Sequence, residues 1–331
     1  MSAPTLLDAT RAVVALVQPG LARLEQSLAA LADTNDPILA PMLSTVLPGQ
    51  GKRLRPALAL LIGRFGQATI DPDALNHMAV GVELLHTASL VHDDIVDESD
   101  TRRGAATLYA RIGNALAVLV GDYLFSQAAQ ACVATGDLRV VRLFAQTLGA
   151  MAQGQIDEAN SQLGGSANWR TFDRDSYYRT IRGKTASLFV LACEGTGLLA
   201  GLGDEQVRAL HLYGDRLGLA FQVVDDILDF TATEAELGKP VGSDLRQGTI
   251  TLPVILLRDR GLADGRYWAV FESGDIDRQV ALVQESGAIA AAYAEAEALV
   301  QQAREALRCL PAGVERDALD ALASYVTRRD R

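Results

Sequence analysis

Two aspartate clusters of the same form stand far apart in the sequence, one reading DDIVD at 93–97 and the other DDILD at 225–229. Residues four apart share a face of a helix, so the first and last aspartates of each cluster would point the same way. Two such carboxylates repel each other, and apolar surroundings make the repulsion costlier unless a cation offsets it. Mg²⁺ binds carboxylate oxygens, keeps several waters and bridges to phosphate groups. The spacing therefore predicts magnesium sites that hold a phosphorylated ligand.

A single DDxxD would more often be a solvated acidic face or a helix end. Two copies, each following an apolar helical run, favour the metal interpretation.

Basic residues occur where such a ligand would need them. The segment GKRLRP at 51–56 places Lys52, Arg53 and Arg55 just before a predicted helix, and helix N-termini favour phosphate. Of the 30 basic residues only three are lysine, and each lies in such a context. Singly, each would be an ordinary surface charge; together with two metal sites they predict binding of two diphosphates. The other candidates are Arg102, Arg103, Lys184, Thr185 and Lys239.

His86 lies seven residues before Asp93 and thus nearly on the same helical face. We expect it to donate a hydrogen bond to a phosphate. His92 points away from the face that His86 shares with Asp93 and is interpreted as a structural residue. The sequence around His77 and His211 indicates no function.

The elements that must position these residues are helices. Asp71-Pro72 is a good helix start, and a second long helix begins near Asp204. No segment alternates long enough to predict a strand, and the glycine- and proline-rich stretch Gly238–Pro253 is typical of a lid loop. We predict an all-α fold, a single-domain bundle of about ten or more helices over 1–331. Further helices are expected at 5–32, 37–47, 105–134, 137–163, 173–193 and 285–308.

Composition excludes several classes of protein. The formal charge of −11, with no basic run, argues against nucleic acid or an anionic membrane as partner. Three scattered cysteines without CxxC argue against disulfides and zinc. The most apolar stretch, Leu188–Leu202, contains Glu194 and is too short to span a bilayer. No signal peptide is evident, so a cytoplasmic protein without a transmembrane segment is expected.

Several motifs together resemble the trans-isoprenyl diphosphate (polyprenyl) synthase family. They are GKRLRP at 51–56, ELLHTASLVHDDIVDESDTRRG at 83–104, GKTA at 183–186, FQVVDDILDF at 221–230 and GKPVGSDLRQGTITLP at 238–253. The resemblance covers most of the chain. It implies an isoprenoid-synthase-type helical bundle around a central cavity, a homodimer, and Mg²⁺ as cofactor, three ions per active site with substrate bound.

The resemblance also implies roles for individual residues. Asp93, Asp97 and Asp225 would be the primary magnesium ligands and, with Lys184 and Arg102, the catalytic set. Asp94, Asp226 and Asp229 would be supporting ligands. Isopentenyl diphosphate would be held by Lys52, Arg55, His86 and Arg103. The allylic diphosphate would be held by Arg102, Lys184, Gln222 and Lys239, with Thr185 helping.

Two positions depart from the family pattern. A frequent second glycine before the lysine is Gln50 here, and a lysine often found after the late glycine is Thr249, which weakens one possible phosphate contact. Long-chain members commonly read GTITLP there, so activity is still expected.

The expected reaction is head-to-tail condensation of isopentenyl diphosphate with an allylic diphosphate. In the family, residues four and five before the first aspartate form the floor of the product cavity. Here these are Ser89 and Ala88, both small, which predicts products longer than about C15 and, by resemblance, roughly C30–C50. The alternatives are geranylgeranyl diphosphate as product and a catalytic subunit of a heteromeric synthase. A terpene cyclase is disfavoured by the second DDxxD, and a non-catalytic subunit by the presence of both clusters.

Overall fold

The computed structural model describes residues 6–47, 51, 53–66, 70–102, 104–163, 169, 171–233, 240–261 and 266–328. The all-α prediction is confirmed, because helices account for nearly all regular structure in these ranges. In chain order the α-helices are α1 Leu6–Ala32, α2 Leu39–Val46, α3 Leu54–Gly63, α4 Pro72–Val96, α5 Leu108–Ile112, α6 Asn114–Ala134, α7 Leu138–Leu163, α8 Arg174–Ile181, α9 Ser187–Val190, α10 Thr196–Leu199, α11 Asp204–Thr231, α12 Ser243–Arg246, α13 Leu252–Gly261, α14 Arg266–Ser273, α15 Ile276–Glu285, α16 Ala288–Ala306 and α17 Val314–Val326.

The chain forms two compact units, and a single domain over 1–331 stays a prediction. The first unit comprises residues 1–148, 188–214 and 306–322, and the second comprises 149–187, 215–305 and 323–331.

Helix α4 is the central element of the first unit. It begins as the sequence predicts: the Asp71 side chain accepts a hydrogen bond from the Asp73 backbone N–H at 3.0 Å, and Pro72 takes the first helical position. It packs on α6, α3 and α1. At Gly81 a Cβ would lie 2.8 Å from the sulfur of Cys132, so the small glycine permits the close approach of α4 and α6. This packing positions the C-terminal turn of α4, which carries the first aspartate cluster.

The segment after α4 differs from the single helix predicted over 105–134. A two-residue antiparallel hairpin, Thr101–Arg102 with Ala105–Ala106, comes first, followed by α5 and α6. Gly113 separates the two helices with a φ of +77°, a left-handed value that favours glycine. The strands of this hairpin have two residues each and are too short to show periodicity in the sequence, so no pattern predicted them.

Helix α6, rather than Leu188–Leu202, is the segment most similar to a membrane span. Within the described part of the chain it alone is long and apolar enough to cross a bilayer by length and composition, and 39% of its apolar window is buried in the protein. A core helix of a water-soluble protein meets the same criterion, so the observation is weak evidence for a membrane location. It does show that α6 presents apolar side chains on its outer face: Leu116, Leu119 and Val133 are exposed.

The second unit brings α7 and α8 into backbone contact. A Cβ at Gly154 of α7 would lie 2.5 Å from the Lys184 backbone nitrogen, and one at Gly183 would lie 2.6 Å from the Ala150 carbonyl oxygen. Between α8 and α9 the helix widens into a π-helical turn, Arg182–Ala186, a feature frequent at functional sites. The predicted helix over 173–193 is therefore present but interrupted, since a second π-helical turn covers Leu191–Gly195.

The predicted lid loop is partly helical. Helix α12 lies within it, and α13 begins at Leu252. Gly242, with a φ of +72°, precedes α12 and donates its N–H to the Asp229 carbonyl at 2.8 Å. This contact ties the described part of the loop to the end of α11, which carries the second aspartate cluster.

Candidate active site

The first aspartate cluster forms the C-terminal end of α4. Asp97 caps the helix, its N–H donating to the Asp93 carbonyl at 2.9 Å, so the two residues lie one helical turn apart as predicted. Both side chains are half-buried, whereas Asp94 between them is only 7% exposed. Asp93 and Asp97 thus form a pair of accessible carboxylates.

Asp94 is engaged by a cation of the protein. The Arg102 Nε donates to its Oδ1 at 2.7 Å. Burial raises the pKa of Asp94, and the charge and hydrogen bond of Arg102 oppose that rise. Both residues were predicted to contact ligand or metal, and here each neutralises the other. Arg102 must exchange this partner if it is to bind a diphosphate.

Arg55 and His86, predicted to hold the same diphosphate, lie together. The Arg55 Nη1 is 3.2 Å from the His86 Nε2, and its guanidinium lies over the Phe189 ring at 4.6 Å from the centroid. The aromatic face and the histidine hold the guanidinium in a defined orientation. Lys52 and Arg103, predicted for the same ligand, lie outside the described residues.

Arg53 does not belong to this cationic group. Its side chain turns inward, is 9% exposed, and makes ion pairs with Glu25 and Glu83. The expectation that all three cations of GKRLRP face a phosphate is therefore wrong for Arg53. A fixed guanidinium between two carboxylates has a structural use, because a buried charge is tolerated only when it is paired.

The second cluster, on α11, is more deeply buried than the first. Asp225 is half-buried, while Asp226 is 4% and Asp229 1% exposed. The Asp244 backbone N–H donates to the Asp229 Oδ2 at 3.1 Å. As in the first cluster, the first aspartate is the more accessible and the second is held by protein groups.

A chain of hydrogen bonds connects Asp226 to predicted ligand-binding residues. The Thr185 hydroxyl donates to the Gln222 Oε1 at 2.7 Å, and the Gln222 Nε2 donates to the Asp226 Oδ1 at 2.8 Å. The Tyr177 hydroxyl donates to the other carboxylate oxygen at 2.6 Å. Burial raises the pKa of Asp226 well above its usual range, the negative charge of Asp244 adds to the rise, and these hydrogen bonds oppose it. The chain orients the carboxylate, and a bound divalent cation would stabilise its ionised form.

Lys184 lies in the π-helical turn and pairs with Glu158 of α7 through a hydrogen bond. Like Arg102, it must exchange a carboxylate for the ligand. Lys239 lies outside the described residues.

Sequence reasoning missed four residues: Tyr177, Glu158, Glu83 and Asp244. Glu83 lies three residues, about one turn, before His86 and therefore on the same face of α4. Its spacing to His86 could have identified it from the sequence. Glu158 and Tyr177 belong to α7 and α8, remote in sequence from the aspartate clusters, and Asp244 lies within the predicted lid loop. The contacts of these three residues became recognisable only in the structure.

The two residues predicted to set product length lie one turn before the first cluster. Ala88 is fully buried, and Ser89 is half-buried with its hydroxyl donating to the His86 carbonyl at 2.8 Å. Neither side chain is bulky enough to obstruct the α4 face below Asp93.

The donor set of each cluster suits a hard cation. Among the described residues no three His, Cys, Asp or Glu side chains converge as a closed metal site. An all-protein cage for zinc would need such convergence. Mg²⁺, by contrast, uses one or two carboxylates and takes its other oxygens from water and substrate phosphates. The accessible carboxylates of α4 and α11 match this coordination preference of Mg²⁺.

Known proteins are similar to this chain over most of its length. The polyprenyl synthetase family matches residues 36–268. The chain is 35% identical to heptaprenyl diphosphate synthase component 2 of Geobacillus stearothermophilus, over 97% of this chain and 99% of that one. It is 36% identical to the decaprenyl diphosphate synthase of Rhodobacter capsulatus, whose crystal structure matches with a TM-score of 0.87 over 98% of this chain and 99% of that one.

A polyprenyl synthase from Caulobacter crescentus, crystallised with calcium and isoprenyl diphosphate, matches with a TM-score of 0.88 at 31% identity, over 100% of both chains. Matches of this extent, together with the helical fold and the two aspartate clusters, show that the chain belongs to the polyprenyl synthetase family of prenyltransferases.

Proposed function

We propose that this protein is an all-trans-polyprenyl diphosphate synthase, which condenses isopentenyl diphosphate head to tail with an allylic diphosphate and requires Mg²⁺. The observation that carries the proposal is the arrangement on α4. The Arg55–His86 pair is seven residues, or about 10 Å, along the helix from Asp93. A cationic site for one diphosphate and a carboxylate pair for metal thus share one rigid helix. The names of the relatives support the same activity.

We assign the isopentenyl diphosphate to Lys52, Arg55, His86 and Arg103. Arg55 and His86 are suited to this role because both can donate to phosphate oxygens and the Phe189 ring limits the motion of the guanidinium. The allylic diphosphate is assigned to Arg102, Lys184, Thr185, Gln222 and Lys239.

The metal ligands of the proposal are the accessible aspartates Asp93, Asp97 and Asp225, with Asp94, Asp226 and Asp229 in support. Mg²⁺, when bound, supplies Lewis-acid stabilisation of the leaving diphosphate. Three ions per active site is the number that the family resemblance implies. The calcium and isoprenyl diphosphate of the Caulobacter crescentus relative are consistent with divalent cations beside a prenyl diphosphate.

In the proposed reaction Arg102 and Lys184 leave Asp94 and Glu158 and donate to the departing diphosphate. Their charges stabilise the negative charge that develops as the allylic C–O bond breaks. The double bond of isopentenyl diphosphate attacks the resulting cationic C1 of the allylic substrate and forms the new C–C bond. A proton is then lost from C2 of the isopentenyl unit. We assign that proton to the departing diphosphate, since the aspartates serve as anchors and no side-chain base is evident in the motifs.

The product is proposed to be longer than about C15, in the range of roughly C30–C50. Support comes from the small Ala88 and Ser89 before the first cluster and from relatives named for hepta-, octa- and decaprenyl products. Geranylgeranyl diphosphate is the alternative product, because a bulky residue of another helix could close the cavity.

A homodimer is the proposed assembly. The exposed apolar side chains of α6, Leu116 at 42%, Leu119 at 60% and Val133 at 60% exposure, form a face suited to a second copy. The alternative is a heteromeric synthase, because one relative is named as a component 2. Light scattering combined with an activity assay of the single purified chain distinguishes the two. A cytoplasmic location is part of the same proposal.

The test of the activity is incubation of the purified protein with labelled isopentenyl diphosphate, Mg²⁺ and each allylic primer in turn, followed by chromatography of the dephosphorylated products. A ladder ending at a long prenyl chain is expected. Absence of elongation with every primer would refute the proposal for the single chain. Activity that appears only with an added small subunit would establish the heteromeric alternative.

A further inference from the structure

We propose that Arg53 is a positioning residue of the isopentenyl diphosphate site: paired with Glu83, it holds Arg55 and His86 in register. This inference rests on the proposed function, because it concerns how that site is held together. It concerns a residue that does not itself face the ligand.

The first observation is that Arg53 fastens four helices of the first unit. It is the residue before α3, and its guanidinium donates to Glu25 of α1 at 2.8 Å, to the carbonyl of Leu47 at the end of α2 at 2.9 Å, and to Glu83 of α4. The planar guanidinium is suited to three partners in fixed directions, which an ammonium is not.

The second observation is the backbone of Arg53. Its φ of +47° and ψ of +36° are left-handed, a conformation that is unfavourable for a residue other than glycine and persists only where the surroundings enforce it. The Ala57 N–H bonds to the Arg53 carbonyl at 2.9 Å, so the first turn of α3 is built directly on this residue. The buried guanidinium contacts supply the enforcement.

The third observation is that two parallel contacts join the start of α3 to α4. Arg53 reaches Glu83, and two residues later Arg55 reaches His86 at 3.2 Å, three residues along α4. Because residues three apart share a face of α4, the first contact sets the register of the second. The Arg53–Glu83 pair is buried, with side chains 8% and 5% exposed, so water does not screen it.

The guanidinium of Arg53 lies between two carboxylates, those of Glu25 and Glu83. Burial lowers the pKa of Arg53, but the hydrogen bonds and charges of Glu25 and Glu83 outweigh that effect and raise it, so the guanidinium stays ionised. Burial raises the pKa of Glu83, and the hydrogen bond and charge of Arg53 and the charge of Arg55 oppose that rise. Without Arg53, Glu83 would attract Arg55 away from a bound diphosphate.

The experiment measures steady-state kinetics for each substrate and the thermal midpoint Tm of five variants. Arg53→Met should raise the KM for isopentenyl diphosphate roughly tenfold or more, the size expected for losing a charged hydrogen bond, with the KM for the allylic substrate little changed. Glu83→Leu should raise the KM for isopentenyl diphosphate by a smaller factor, because this variant has no carboxylate at position 83 that could attract Arg55. It also serves as the test if Arg53→Met does not fold. Glu83→Gln keeps an acceptor for Arg53 and should stay near the wild-type KM.

Arg64→Met is the matched control. It breaks the Arg64–Glu315 ion pair, which lies in the same unit with side chains 27% and 20% exposed and has no part in the proposed site. It should lower Tm and leave both KM values unchanged. A folded Arg53→Met or Glu83→Leu protein with wild-type KM for isopentenyl diphosphate would overturn the inference. The inference would also be overturned if both KM values rose equally and in proportion to the fall in Tm in every variant.

Arg55→Ala distinguishes failure of the positioning role of Arg53 from failure of the proposed isopentenyl diphosphate site. If it raises the KM for isopentenyl diphosphate while Arg53→Met does not, only the positioning role fails. If Arg55→Ala leaves that KM unchanged, the proposed site itself is wrong and the role of Arg53 fails with it.

Discussion

Replacing Gly154 by alanine tests how closely Lys184 must be held. In α7 a Cβ at this position would lie 2.5 Å from the Lys184 backbone nitrogen and 2.9 Å from the Thr180 carbonyl oxygen. Ordinary van der Waals contact begins at 3.4 Å, so the two backbones must separate by about 3.4 − 2.5 = 0.9 Å. Both atoms belong to backbone, which has no rotamer through which to relax.

The energetic and kinetic costs follow from that displacement. Overpacking of this kind costs about 1–3 kcal/mol, which lowers Tm by roughly 2–4 °C per kcal/mol. A misplacement near 1 Å of a group that acts on the substrate can cost about 10²-fold in rate. We therefore expect Gly154→Ala to fold, to melt several degrees lower and to lose between ten- and a hundredfold in kcat/KM for the allylic diphosphate.

Gly149→Ala is the matched control on the same helix. A Cβ there meets no atom within 4 Å, so alanine should stabilise the helix by about 0.5–1 kcal/mol and leave the kinetics unchanged. Melting curves and initial rates with labelled isopentenyl diphosphate compare the two variants. If Gly154→Ala matches Gly149→Ala in both measurements, the close contact is not real. If only Tm falls, the packing is correct but the position of Lys184 does not control the rate.

Three further predictions concern the metal, the product and the thiols. Asp93→Ala and Asp225→Ala should each lower turnover by orders of magnitude with an unchanged circular dichroism spectrum, and chelation of Mg²⁺ should abolish activity reversibly; near-wild-type rates would contradict the metal role. Ala88→Phe should shorten the longest product seen by chromatography, and an unchanged product would show that α4 does not set its length. Cys132 is buried and its pKa is raised to about 12, so mass spectrometry after brief iodoacetamide treatment of the native protein should find label at the exposed Cys309 and not at Cys132; labelling at Cys132 would show local opening of the α4–α6 packing.

Much of the local structure was predictable because its causes are local. The cap at Asp71 and the proline after it start α4 where expected, and the Asp93–Asp97 spacing follows from the helical repeat. The errors arose where a few residues change the backbone. Gly113 breaks the helix predicted over 105–134, and the π-helical turn at Arg182–Ala186 interrupts the one over 173–193.

The sequence by itself determined the family, the all-α class and the candidates for metal and phosphate binding, because motifs and helical periodicity depend on residues close together along the chain. Tertiary structure decided which of those charges face inward. Arg53 and Arg55 are two residues apart and chemically identical, yet one is buried between Glu25 and Glu83 while the other contacts His86 and Phe189. Their partners come from helices 28 to 134 residues away, and the free energy of a buried charge depends on such partners, which spacing in the sequence does not show.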